Sequence, residues 1–222
     1  MPFQKASRVA ALLLLGFYCA AAHAQETRYI EYGLSFQPPP GWQEDRTALG
    51  PVRVQYLGPK RNDDWQATLN LTTQNYAVSL SDQSVNAIAD DMVATAKSLG
   101  RREVQVADRR KLNIGAVEAF QLDITFNQDR IPGRVRHVFI PVPEHKRTYL
   151  FNYVDTAAGF DENAAAVAAA INSFSPVIPR AAGASPDAAA TGSGLPQWAL
   201  ITIAVIASLI VITAAYLLLR KR

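Results

Sequence analysis

The chain has 222 residues, 49% of them hydrophobic and 18% charged, with 22 Lys plus Arg, 19 Asp plus Glu and a single cysteine. Two cations (Lys5, Arg8) and three more (Arg220, Lys221, Arg222) lie near the two ends, which leaves 17 cations against 19 acids in between. A body so close to neutral excludes a general binder of nucleic acid or anionic lipid, which needs a broad basic surface.

Lys5 and Arg8 precede an apolar run from Val9 to Ala22, and Ala22-His23-Ala24 supplies small residues three and one positions before Gln25. This is the pattern of a secretory signal peptide cleaved between Ala24 and Gln25. Cys19 follows Gly16-Phe17-Tyr18, which does not fit a lipoprotein signal, and it leaves with the leader. Disulfides, thiolate metal sites and cysteine nucleophiles are then excluded from the exported chain.

Residues 25–175 have the length of one domain. A first strand is predicted over Tyr29–Gln37, interrupted at Gly33. Pro38-Pro39-Pro40-Gly41 must leave the sheet because proline has no ladder donor, and Trp42 is expected to fold back onto the core. Val52–Leu57 and Gln66–Thr73 read as a hairpin around the loop Gly58–Asp64, with Ala67, Leu69 and Leu71 facing inward. Val85, Ile88, Met92, Val93, Ala96 and Leu99 form one helical stripe, which Ser81 or Ser84 can cap and Gly100 can end. Strands are then expected at Arg102–Ala107, Ala116–Phe126, Arg134–Val142 and Thr148–Val154, and their short links imply antiparallel pairing. A last helix is predicted from Asp161-Glu162, with Val167, Ile171 and Phe174 on one side and Ser175-Pro176 as its stop.

Residues 176–197 are rich in Pro, Ala, Gly and Ser and read as a linker. Trp198–Leu219 contains no charge, and about 20 such residues cross a hydrocarbon core of ~30 Å as a helix. Trp198 and Tyr216 suit the two interfaces, while Arg220, Lys221 and Arg222 are expected to stay in the cytoplasm. Gly192-Ser193-Gly194 with this tail also resembles the processed sorting tails of some exported proteins, and a plain anchor accounts for the same residues.

The opening YGLSFQPPPGW resembles the strand, proline-rich turn and Gly-Trp of PsbP-like and DcrB-like domains. Tyr149-Leu150-Phe151-Asn152-Tyr153 followed by FDENAAAVAAAINSF is similar to their last strand and final helix. The resemblance implies an α+β fold, an antiparallel sheet flanked by helices, and offers no catalytic residues to carry over. Members of the family differ widely in role, so the fold says little about function.

The residues themselves carry little chemistry. His137 and His145 have no second ligand at metal-site spacing, so no metal or cofactor is expected. Asp63-Asp64 and Asp90-Asp91 are neighbours that point apart, and no nucleophile elbow, phosphate loop or dinucleotide glycine pattern occurs. No catalytic residues and no enzymatic activity are expected. The feature above background is a set of cations, Arg101, Arg102, Arg109, Arg110 and Lys111, with Arg130, Arg134 and Arg136 further on. They read either as one basic edge that receives an acidic partner or as a solvated rim neutralised by Glu103, Asp108, Asp123 and Asp129.

Together these features predict a single-pass protein of a bacterial inner membrane, with its N-terminal domain in the periplasm and its C-terminus in the cytoplasm. Its expected role is that of an accessory or interaction module whose partner is another envelope protein and not nucleic acid. A small-ligand-binding domain is the alternative, and a hydrolytic enzyme comes third. Mass spectrometry of the purified protein is expected to find Gln25 at its N-terminus, with no lipid and no Met1.

Overall fold

The computed structural model describes residues 27–29, 32–47, 52–60 and 65–177. The predicted leader, most of the linker, and the span Trp198–Leu219 with its basic tail lie outside the described residues. Among the described residues no helix is long and apolar enough to cross a membrane.

In chain order the elements are β1 (Thr27–Tyr29), β2 (Leu34–Phe36), β3 (Gln43–Glu44), β4 (Val52–Lys60), β5 (Gln66–Gln74) and α1 (Asp82–Ser98). They continue with β6 (Arg102–Ile114), β7 (Val117–Gln128), β8 (Ile131–Val142), a single 3-10 turn (Pro143–His145), β9 (Arg147–Thr156), α2 (Ala157–Asn172) and β10 (Ser175–Pro176). Seven strands form one antiparallel sheet in the order β3-β4-β5-β9-β8-β7-β6, and β1-β2-β10 form a small second sheet.

Strand alternation divides the large sheet into two buried faces. One carries Leu69, Leu71, Val138, Ile140, Tyr149, Phe151 and Tyr153 and packs against Leu34 and Phe36 of the small sheet and Phe160, Val167 and Ile171 of α2. The other carries Phe120, Leu122, Ile124, Phe139, Leu150 and Val154 and packs against Val85, Ile88, Met92 and Ala96 of α1. β9, near the middle of the sheet, is therefore buried along almost its whole length. At about 1.5–3 kcal/mol for each fully buried large apolar side chain, these two layers supply the main favourable term in folding.

The sequence signals account for most boundaries. Ser81 caps α1 by accepting from the Ser84 N–H at 3.2 Å, and Gly100 follows its end at φ +81°, where a side chain would be strained. Pro40-Gly41 forms a tight turn with Gly41 at φ +77° and the Trp42 N–H donating to the Pro39 carbonyl. Trp42 does fold back, onto Gly58 and Tyr153. β4 and β5 pair as the predicted hairpin.

Other boundaries differ from expectation. The predicted strand over Tyr29–Gln37 is two antiparallel strands, with Tyr29 opposite Leu34, because the chain reverses before Leu34 with Gly33 at φ +71°. The Tyr149 hydroxyl, 3.2 Å from the Tyr32 carbonyl and 3.1 Å from that of Gly33, and Arg147 Nη1 at 3.0 Å from the former fasten this reversal to β9. α2 begins at Ala157, one turn before Asp161, because Thr156 accepts from the Gly159 N–H at 3.1 Å. Ser175-Pro176 pairs with β2, and the Val177 N–H donates to the Gly33 carbonyl, so backbone pairing continues through Val177.

Gly133 lies beneath the ring of Phe126, and a Cβ added there would stand 2.6 Å from two ring carbons. Gly133→Ala is expected to destabilise the fold by about 1–3 kcal/mol through overpacking in the β7–β8 pair, measured as a lower midpoint of urea unfolding.

Candidate binding surface around the basic cluster

The cations that stand together in the sequence are separated by the sheet. Arg134 and Arg136 lie on β8 and turn to the α2 face, where the fully buried Asp123 of β7 receives both. Arg134 Nη2 donates to Asp123 Oδ2 at 2.7 Å, while Arg136 donates through Nε to Oδ1 at 2.9 Å and through Nη2 to Oδ2 at 2.8 Å. Arg136 thus makes a two-pronged contact, the strong form of this pairing. Burial disfavours its charge, but the bonds and charge of Asp123 more than offset this and leave its pKa raised. Both guanidinium groups also lie over the ring of Phe160, at 4.4 and 5.1 Å, and Arg134 Nη1 reaches Asp161 at 3.5 Å.

β6 carries the rest. Arg110 approaches Asp108 at 3.7 Å and Gln121 at 3.5 Å on the α2 face. Arg109 donates to Asn86 at 2.7 Å and Lys111 pairs with Asp82 at 3.0 Å, both toward α1. Arg102 is exposed at the start of the strand. Arg130 occupies the two-residue turn between β7 and β8 with Asp129, both at positive φ. Surface pairs of this kind contribute little to stability, so Arg110 and Lys111, whose side chains are 59% and 43% exposed, can exchange partners readily.

Arg101 stands apart from all of these. It is 4% exposed, its guanidinium lies 4.0 Å from the centre of the Phe126 ring, and none of its three side-chain nitrogens has a hydrogen-bond partner. Burial pulls its pKa down to about 10, so it is still a cation at neutral pH. Sequence proximity put Arg101 among the edge cations; only the turn at Gly100 reveals that it points inward.

His137 is 2% exposed on the α1 face, with Nδ1 2.6 Å from Asn152 Oδ1. An amide oxygen only accepts, so Nδ1 is the donor in this bond. Burial first, then the nearby Arg101 charge, pushes the imidazole down to about 4 against the opposing effects of Asn152 and Asp123. His145, in the 3-10 turn, has Nδ1 3.3 Å from the Tyr149 hydroxyl. Neither histidine bonds a carboxylate, and no group of three or more His, Cys, Asp or Glu able to hold a metal occurs among the described residues.

No family model matches the chain, and no curated protein matches it. Solved structures do resemble it. A cyanobacterial PsbP (CyanoP) from Synechocystis sp. PCC 6803 is 12% identical and covers 68% of this chain and 91% of its own, with a TM-score of 0.49. The Ran-binding protein Mog1p of Saccharomyces cerevisiae is 8% identical over 69% of this chain and 95% of its own, with a TM-score of 0.49. LpqN, involved in cell envelope biogenesis of Mycobacterium tuberculosis, is 12% identical over 68% of this chain and 88% of its own, with a TM-score of 0.46. These proteins differ from one another in role, and the likeness is one of fold alone.

The His137 geometry gives a pH dependence whose sign is fixed. Unfolded, the ring titrates near 6.5; folded, it resists protonation down to about 4. Its contribution to stability is complete above pH 6.5 and is lost as pH falls toward 4, with a slope of up to about 1.4 kcal/mol per pH unit. His137→Gln, whose amide N–H can keep the Asn152 bond, is expected to remove that component. The difference between wild-type and variant urea-unfolding free energies then changes only between those pH values.

Proposed function

We propose that this chain is a single-pass, membrane-anchored accessory domain of the bacterial envelope, PsbP-like in fold, which binds a protein partner near the bilayer and is not an enzyme. The anchoring and the envelope location rest on the sequence at the two ends. The binding role rests on one observation, the outer edge of β6. This strand runs for 13 residues at the end of the large sheet, and among the described residues nothing pairs with its outer side. It is exposed along most of its length and carries Val106, which at 42% exposure is the exposed large hydrophobic of the described residues.

The strand also carries Arg102, Arg109, Arg110 and Lys111, all exposed, against two acids, Glu103 and Asp108. Backbone groups on such an edge can pair with an extended segment, and the flanking charges select what lies alongside. The partner that fits is an extended acidic segment of another envelope protein. Arg134 and Arg136 are not part of this surface, since they lie on β8 and turn to the α2 face, where Asp123 holds both and Asp161 also meets Arg134.

A photo-reactive residue placed at 106 in the full-length protein in cells is expected to give a discrete cross-linked product. One placed at Glu144, in the exposed 3-10 turn, should give none. Arg102→Glu with Arg110→Glu should abolish the product while leaving the protein in the membrane fraction. No product at 106, or one that survives the charge reversal, overturns the reading.

A further inference from the structure

The described chain leaves the domain at Val177, whose N–H donates to the Gly33 carbonyl at 2.9 Å. The reversal at Tyr32-Gly33 that receives it is also held from β9, where Arg147 Nη1 donates to the Tyr32 carbonyl at 3.0 Å. From β4, the Arg53 guanidinium lies 5.8 Å from the centre of the Tyr32 ring. Lys146, next to Arg147, is exposed at the end of the 3-10 turn with φ +49°. The start of β4 and the start of β9 lie at one end of the sheet, since Val52 pairs with Thr72 and Thr72 with Leu150. Arg53, Lys146 and Arg147 therefore stand together around the point of exit.

None of these three makes an ion pair among the described residues, whereas Arg110, Lys111, Arg134 and Arg136 all do. A ring face and a backbone carbonyl position a guanidinium without cancelling its charge. The acids at this end of the sheet are Glu144 in the same turn, Glu118 on β7, two strands beyond β9, and Asp82, which Lys111 already meets. Close to the exit the cations outnumber them. Residues 178–197 separate Val177 from the apolar run that begins at Trp198. Twenty residues span at most about 70 Å, so the tether keeps this end at roughly millimolar concentration relative to its own bilayer.

We propose that this end of the domain, built on Arg53, Lys146 and Arg147 around Tyr32, docks on the anionic phospholipid surface of the membrane that holds the anchor; the inference rests on the anchored reading above. Each cation near such a surface strengthens attachment about fivefold. Three are too few to hold a free domain on lipid, in keeping with the near-neutral charge of the whole, but a tethered domain needs only to be oriented. Tyr32 is half-buried, and an amphipathic ring of this kind suits the level of the headgroups. With these strand ends on the bilayer, β6, at the other margin of the sheet, has its outer side clear of lipid and open to a protein partner.

The test uses the full-length protein in lipid vesicles, with an environment-sensitive fluorescent residue placed at 144 in the exposed turn or, as the distant control, at 60, seven residues beyond Arg53 on β4. In mixed phosphatidylcholine and phosphatidylglycerol, emission at 144 is expected to move to shorter wavelength than in phosphatidylcholine alone. It should return as sodium chloride is raised, while emission at 60 stays constant. Arg53→Gln with Lys146→Asn, an amide that tolerates positive φ, should lower the ratio of docked to undocked protein by more than about tenfold. Arg53→Lys with Lys146→Arg should keep docking, which separates lost charge from lost folding. Alkaline carbonate distinguishes the two ways of failing. Release of the protein from the vesicles overturns the anchored reading and this inference with it, whereas retained protein whose emission at 144 ignores phosphatidylglycerol overturns the docking alone. An equal response at 60, or docking that survives the loss of both cations, also overturns it.

Discussion

Asp123 has no exposed surface, and the position of α2 follows from the way its charge is matched. A carboxylate taken out of water is costly unless its attraction to a partner and its hydrogen bonds are both nearly ideal. Here two guanidinium groups from the adjacent strand supply three bonds between 2.7 and 2.9 Å. Their planar faces are left free, and Phe160 of α2 occupies them while packing its ring on Tyr153 at 4.6 Å. Arg134 continues to Asp161 in the same helix. The ion cluster thereby fixes where the first turns of α2 dock, and the apolar residues further along, Val167 and Ile171, complete the layer. Removing the carboxylate would leave Arg136 without its ion pair and Arg134 with only the exposed Asp161, a loss of about 3–5 kcal/mol where a buried pair is broken in this way.

The two faces of the sheet are built on different terms. On the α2 side the buried acids are hydrogen-bonded: besides Asp123, the fully buried Asp155 receives the Tyr153 hydroxyl, the Thr156 N–H and the Asn163 amide. On the α1 side the apolar half over β6 and β7 is covered by the helix, whereas β5 and β9 present amides and hydroxyls. A face meant only for stability would place Val or Ile at Asn70 and Thr72, since unsatisfied polar groups weaken a core. Keeping polar residues there is a cost to folding unless ordered water meets their free donors and acceptors.

Much of this architecture was legible in the sequence, and the remainder was lost for identifiable physical reasons. Alternation of apolar residues at Phe120, Leu122, Ile124 and Phe126 marks β7 directly, and the stripe from Val85 to Ala96 marks α1. Pro132 and Gly133 are usual turn formers, yet both belong to β8, and Asp129 and Arg130 take the two positive-φ positions of the turn. The short strands of the small sheet have too few residues to show a period. The basic cluster was misleading in a different way, because nearness in sequence ignores the alternation of a strand. Arg109 and Arg110 face opposite sides, Arg101 is buried beyond a helix end, and Arg134 and Arg136 belong to an acid on the neighbouring strand.

The far edge of the sheet shows how those remaining cations act. A long unpaired strand invites a second copy of itself, and folded proteins blunt such edges with bulges and charge. β6 has two irregularities of register, near Glu103 and near Ala107, and Glu103 adopts φ +52°. With four exposed cations against Glu103 and Asp108 the strand is net positive, so pairing with a second copy is opposed by like charge. That opposition is selective. The charges that repel another β6 attract an acidic strand, and Val106, lying between the cations, gives such a strand an apolar contact. The charge that opposes a second β6 is also what would draw an acidic segment to this edge, so solitude and selectivity there have one electrostatic origin.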